Sequence, residues 1–199
     1  MKKRYILIFS LPVILIMSFH IYAKNEKEAL SEGVLRLHVV AESNSREDQM
    51  LKLKVRDAVL LTAKELFEGA GTKYEAIEIA CENKDKITKA AEDVLKSEGC
   101  FLPVRVEVGK TRFPTKKYEN IRLPQGVYDS VNVKIGKAEG ENWWCVMYPM
   151  LCFSSSVSGR LDSKSEKLLR EELGDAGFSL VSDTGDPKIN IKFKILELF

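Results

Sequence analysis

Apolar and polar residues alternate from residue 34 to 41, with Leu35, Leu37 and Val39 on one face and Arg36, His38 and Val40 on the other. That period of two predicts a strand. The pattern breaks at Ser43-Asn44-Ser45, where Ser45 suits a helix N-cap and acidic Glu47 and Asp48 suit the positive end of the helix dipole. Leu51, Val55, Val59, Thr62 and Leu66 then recur at helical spacing, predicting a first helix over about residues 46–68 that stops at Gly69-Ala70-Gly71. A second helix is predicted over about residues 74–97, with Ile77, Cys81, Ile87, Ala91 and Leu95 on one side and a Lys/Glu-rich solvated side, closed by Gly99. Strand alternation follows at Leu102, Val104, Val106 and Val108, with Pro103 marking an edge or a strand start. Residues 111–118 read as a hairpin partner, 127–135 and 143–147 as strands, and 136–140 as a turn. A polar loop at 154–159, a third helix over 161–173 and an amphipathic strand over 188–199 complete the chain. This order predicts an α+β fold: a mostly antiparallel sheet with two long helices packed on one face.

The N-terminus changes the domain picture. Lys2-Lys3-Arg4 precedes residues 5–23, YILIFSLPVILIMSFHIYA, which carry no formal charge. A span needs roughly 20 apolar residues, so this segment reads as an export signal or a membrane anchor. Cleavage after Ala23 and retention as an anchor both stay open. Residues 1–23 are thus a signal peptide or anchor, 24–33 a spacer and 34–199 one extracytoplasmic domain. Removing the three basic residues lowers Lys+Arg from 31 to 28 against 29 Asp+Glu, a body near −1 with no electrostatic case for nucleic acid. Outside the cytoplasm disulfides become possible. Cys145 and Cys152 flank Tyr148-Pro149 closely enough to pair across a hairpin, and two buried free thiols are the alternative. No C-x-x-C spacing supports zinc.

The catalytic inventory is small. Of the two histidines, His20 lies in the apolar segment, leaving His38 as the only candidate for a Ser-His-Asp or Cys-His arrangement. No G-x-S-x-G, H-E-x-x-H or phosphate-loop motif accompanies it. The adjacent acids Glu47/Asp48 and Glu171/Glu172 point in different directions on a helix and read as cap and solvent charges. No catalytic residue, metal site or cofactor is assigned. Two other features draw notice. Asp48, Gln49, Lys52, Arg56 and Asp57 make a polar stripe on the first helix, which is either a solvated face or a contact surface. Trp143 and Trp144, adjacent on a strand, point to opposite faces, so one can be core while the other meets a partner.

Two blocks carry a resemblance. LRLHVVAESNSREDQMLKLKVRDAVL, opening at Leu35, and NWWCVMYPMLCF, opening at Asn142, resemble in that order the N- and C-terminal signatures of the stage II sporulation protein R family. The family-like positions are Leu35, Arg36, Val39, Ala41, Ser43, Glu47, Asp48, Gln49, Lys52, Val55, Arg56 and Asp57, then Asn142, Trp143, Trp144, Cys145, Pro149, Leu151, Cys152 and Phe153. Glu42 and Arg46 depart from the pattern, at a turn where a small polar residue and a proline are expected.

The resemblance implies a protein made in the forespore and exported into the intermembrane space of the septum. Its partner is then a membrane-embedded aspartic protease of the mother-cell septal membrane, which on activation processes the sigma-E precursor. It also directs attention to Arg36, His38, Asp48, Gln49, Lys52, Arg56, Asp57, Trp143 and Trp144 as partner-binding residues. We expect an exposed surface that unites Arg36 and the helix stripe with one tryptophan. The alternatives are an exported septal peptidoglycan hydrolase and a structural protein of the septum.

Overall fold

The computed structural model describes residues 17–18, 31–118, 121–151 and 163–182. Its elements are β1 (Leu35–Val40), α1 (Arg46–Leu66), α2 (Lys73–Glu82), α3 (Lys84–Ser97), β2 (Val104–Phe113), β3 (Lys116–Tyr118), β4 (Ile121–Leu123), β5 (Gly126–Ile135), β6 (Asn142–Tyr148) and α4 (Ser163–Val181). Four strands form one sheet in the order β2-β5-β1-β6, and β3 pairs with β4 separately. Within the sheet β1 runs parallel to β5 and antiparallel to β6, while β2 and β5 are antiparallel. The fold is α+β with a mostly antiparallel sheet.

Both faces of that sheet are covered. Leu35, Leu37 and Val39 of β1, with Val131, Val133, Cys145 and Met147, pack against Val55, Val59, Ala76, Ala80, Ile87, Ala91 and Leu95 of α1–α3. The opposite face carries a second cluster, in which Phe113, Tyr128 and Val146 meet Ile121 and Leu123 of β3–β4 and Leu169, Leu173, Phe178 and Val181 of α4. The pattern of β1 predicted one buried and one polar face. Instead Arg36 is 0% and Val40 6% exposed, because the second layer seals the face that alternation left polar.

Local chemistry accounts for the element ends. Ser45 caps α1 by accepting from the Asp48 amide at 3.1 Å, and Thr72 caps α2 from the Glu75 amide at 3.2 Å. The single helix predicted over residues 74–97 is two. Asn83 sends both its amide and its side-chain Nδ2 to the Ile79 carbonyl, at 3.0 and 2.8 Å. At Asn83 the backbone leaves the helical region (φ −109, ψ 20), and its carbonyl then accepts from the Ile87 amide at 3.1 Å to start α3. Gly99 (φ +75) follows α3 as expected. α4 runs beyond the expected 161–173 to Val181, interrupted at Gly174 (φ 68, ψ 169). Of residues 5–23, expected to be an export signal or an anchor, only 17–18 are described, and the predicted strand at 188–199 lies outside the described residues. Among the described residues no helix is long and apolar enough to cross a membrane.

Candidate functional site

The nine partner-binding candidates separate into two groups that meet at the start of β6. The first surrounds the loop from β1 to α1. This loop lies against residues 137–141, with Gly140 N donating to Ala41 O at 3.0 Å, Glu139 N to Glu42 O at 3.2 Å and Glu141 N to Asn44 Oδ1 at 2.7 Å. A Cβ on Gly140 would stand 2.3 Å from Ser43 O, so at this point backbone packs directly against backbone. Asp48 takes a short hydrogen bond from Ser43 Oγ, and Gln49 Nε2 donates to Ser43 O at 2.8 Å. Lys52 is not on a solvated stripe. It is 4% exposed, its Nζ donating to Gln49 Oε1 at 2.5 Å and to Glu141 O at 2.9 Å. Burial pulls its pKa down, with Arg56 adding to the effect and Glu141 opposing it. Arg56 lies over the Trp143 ring at 4.3 Å and pairs with exposed Asp57 at 2.6 Å. Glu42, a departure from the family pattern, accepts from the Lys137 amide and braces the facing turn.

The second group lies on the other side of the sheet. His38 stacks on Trp144, with centroids 3.9 Å apart and planes at 10°. Its Nδ1 is 3.2 Å from Asn132 Oδ1 and its Nε2 2.6 Å from Asn142 Oδ1. Asn132 Oδ1 also accepts from Thr111 Oγ1 at 3.0 Å, so this amide joins β2 to the His38 ring. Burial lowers the His38 pKa, helped by Lys134 and opposed by the two asparagine hydrogen bonds. Two amides and an indole orient this imidazole, and no hydroxyl or thiol nucleophile is among its hydrogen-bond partners.

Arg36 overturns the surface expected from the sequence. It is wholly buried on the sheet face opposite α1, boxed by Phe113, Tyr118 and Tyr128, so it cannot join Asp48, Arg56 and Asp57 on one exposed patch. The tryptophans do point to opposite faces: in register, Trp143 pairs with Val39 and Trp144 with His38. Trp143 packs against the core under α1–α3, and Trp144 against the second cluster. Asn142-Trp143-Trp144 therefore ties the Arg56 side of the sheet to the His38 side.

Sequence reasoning missed Asn132, Phe113, Tyr118 and Tyr128. A signal existed for Asn132, because Ser130, Asn132 and Lys134 alternate with Val131 and Val133, placing a polar row beside β1. The tyrosines carried none, since they come from the far ends of β3 and β5.

Residues 31–158 match a family model described as Stage II sporulation protein R (spore_II_R), a stretch holding β1 to β6 and both groups. The chain belongs to the stage II sporulation protein R family. It is also similar to Stage II sporulation protein R of Bacillus subtilis (strain 168), 31% identical over 144 residues. That match takes in 72% of this chain and 64% of the relative's length. No solved structure matches. Membership makes this a sporulation protein, and the two blocks that resemble the family's signatures open on β1 and β6, strands that lie side by side in the sheet.

Proposed function

We propose that this chain is an exported signalling protein of endospore formation. In this reading it leaves the forespore through residues 1–23, as a secreted or membrane-anchored domain, and acts in the intermembrane space of the septum. There it activates a membrane-embedded aspartic protease of the mother-cell septal membrane, which then processes the sigma-E precursor. Family membership across residues 31–158 carries the proposal. The geometry supports a ligand rather than an enzyme: His38 is held by amides and Lys52 by carbonyls, each tying one element to another. The contact surface in this proposal is the rim where α1 meets the start of β6, with Arg56, Asp57 and Trp143 on one side and Asn142, His38 and Trp144 on the other.

We further propose a disulfide between Cys145 and Cys152. Cys81 and Cys100 are the free thiols of the described residues, Cys145 is 2% exposed in the core, and Cys152 lies outside the described residues. Mass spectrometry of unreduced peptides from exported protein is expected to find the two joined, and two free thiols would end the idea.

The signalling role is tested by co-expressing this chain, the protease and the sigma-E precursor in a non-sporulating host, with and without residues 1–23. Precursor shortening that needs both the chain and its export segment is the expected result. An unprocessed precursor beside exported, folded protein would overturn the role.

A further inference from the structure

β2 is the longer open edge of the main sheet. Among the described residues it pairs with β5 alone, in a register unbroken from Val104 opposite Ile135 to Phe113 opposite Gly126. The carbonyls of Pro103 and Gly109 face β5, accepting from Gly136 N at 2.8 Å and from Ser130 Oγ at 3.0 Å. Backbone groups alternate in direction along a strand, so those of Val104, Val106 and Val108 point outward along the open edge. Neither a proline nor a bulge interrupts this stretch, two of the devices by which edge strands avoid pairing.

The side chains on this edge suit an antiparallel copy of the same strand. Val104, Val106 and Val108 lie on the face toward α1–α3, where Val106 and Val108 are only partly buried. Arg105 and Glu107, both exposed, lie on the other face. Arg105 Nη2 donates to Gly136 O at 3.4 Å. Glu107 pairs with Lys134 at 2.6 Å while its side chain stays 55% exposed, which leaves room for a second cation. When a two-fold axis relates two antiparallel strands, each residue opposes the one equally far beyond the axis. An axis at Val106 sets Arg105 opposite the partner's Glu107 on both sides of it, and Val104 opposite the partner's Val108. An axis at Arg105 or Glu107 opposes like charges, one at Lys110 or Thr111 brings together Lys110 and Arg112, and one at Val108 or Gly109 matches no opposite charges. The Val106 axis also brings Phe101, 83% exposed just before β2, toward the partner's strand.

We propose that the β2 edge is an interface between two copies of this chain, joined antiparallel about Val106 into one continuous sheet. The main-chain bonds come from the outward groups of Val104, Val106 and Val108, and the register from the Arg105–Glu107 pairs. β2 and β6 are opposite edges of the sheet, so this pairing leaves the rim at β6 open. The interface goes beyond the signalling role and does not rest on it.

The test is sedimentation velocity of the full chain over a wide range of concentration, with amide hydrogen exchange recorded on the same samples. The expected result is a dimer mass, with protection of the Val104, Val106 and Val108 amides that grows as the dimer forms. Arg105→Glu turns both attractive pairs into repulsive ones and is expected to weaken association roughly tenfold or more. Arg105→Glu combined with Glu107→Arg exchanges the charges, restores both pairs across the axis and is expected to recover the dimer. Urea midpoints of the variants show that each is folded. A monomer whose three valine amides exchange freely overturns the proposal, since the edge is then simply open. A monomer with those amides protected also overturns it, because the chain then covers its own edge. A dimer indifferent to the charge reversal places the contact elsewhere and overturns it as well. None of these readings involves the protease, so a failed signalling assay and a failed β2 interface are told apart.

Discussion

Single side chains between the layers set how the molecule answers to pH and charge. His38 is held with a lowered pKa chiefly because burial disfavours its charged form. A depressed folded pKa means the unfolded chain binds the proton more readily, so His38 contributes stability above its unfolded pKa near 6.5 that is lost as pH falls through the folded value. Urea midpoints measured from pH 7.5 to 5 are expected to fall more steeply for the wild type than for His38→Phe, which keeps a ring on Trp144 and cannot titrate. Equal slopes would show that His38 does not contribute. Lys73 makes a second case. It is 1% exposed and its Nζ reaches Asp129 at 2.8 Å, while Asp129 remains 22% exposed and has Lys110 at 3.8 Å. Lys73→Met is expected to destabilise by less than the ~3–5 kcal/mol of breaking a fully buried pair, because water and Lys110 still serve the carboxylate. Denaturation of the variant measures it, and an unchanged midpoint would make the pair idle. Neither environment was legible in the sequence. Arg36 and His38 sit on a polar face of β1 by every local rule, and only the arrival of β3–β4 and α4 encloses them.

At the scale of elements, what could be read followed from periodicity and caps, and what could not followed from competition between local and distant contacts. β1, α1, β5 and β6 announce themselves through alternation or helical spacing, and Ser45 caps α1 as its sequence indicates. The division of α2 from α3 falls at Asn83, whose non-helical backbone (φ −109, ψ 20) helical periodicity alone does not register. The contact between the β1–α1 loop and residues 137–141 was equally silent, since it depends on Gly140 having no side chain. This contact carries its own prediction. Gly140→Ala drives a Cβ into the Ser43 carbonyl, a backbone atom that cannot rotate away, so the loops must separate. The expected loss exceeds the ~1 kcal/mol of removing the α1 cap by Ser45→Ala, both read as shifts in denaturation midpoint. A Gly140→Ala protein as stable as the wild type would show that the loops part without cost.

Among the described residues one short segment joins two covered sheet faces, and that arrangement sets what the proposed contact surface can be. Residues 142–144 pass from the exposed Asn142 to Trp143 under Arg56 and Trp144 against His38, so a partner that grips this rim touches both sides of the sheet. A patch confined to the outer stripe of α1 would instead spare His38 and Asn142. The two arrangements separate by mutation. Arg56→Glu places an anion beside Asp57 at the rim, while Asn142→Asp alters the His38 side with little change of volume. If the rim is the contact, each substitution is expected to reduce precursor processing severalfold in the reconstituted host, and the pair together no more than a single lost contact surface allows. Urea midpoints and exported amounts of each variant are measured alongside, because a folding loss would mimic a contact loss. Processing that survives both substitutions in folded, exported protein would move the contact away from β6. Loss with Arg56→Glu alone would restrict it to α1.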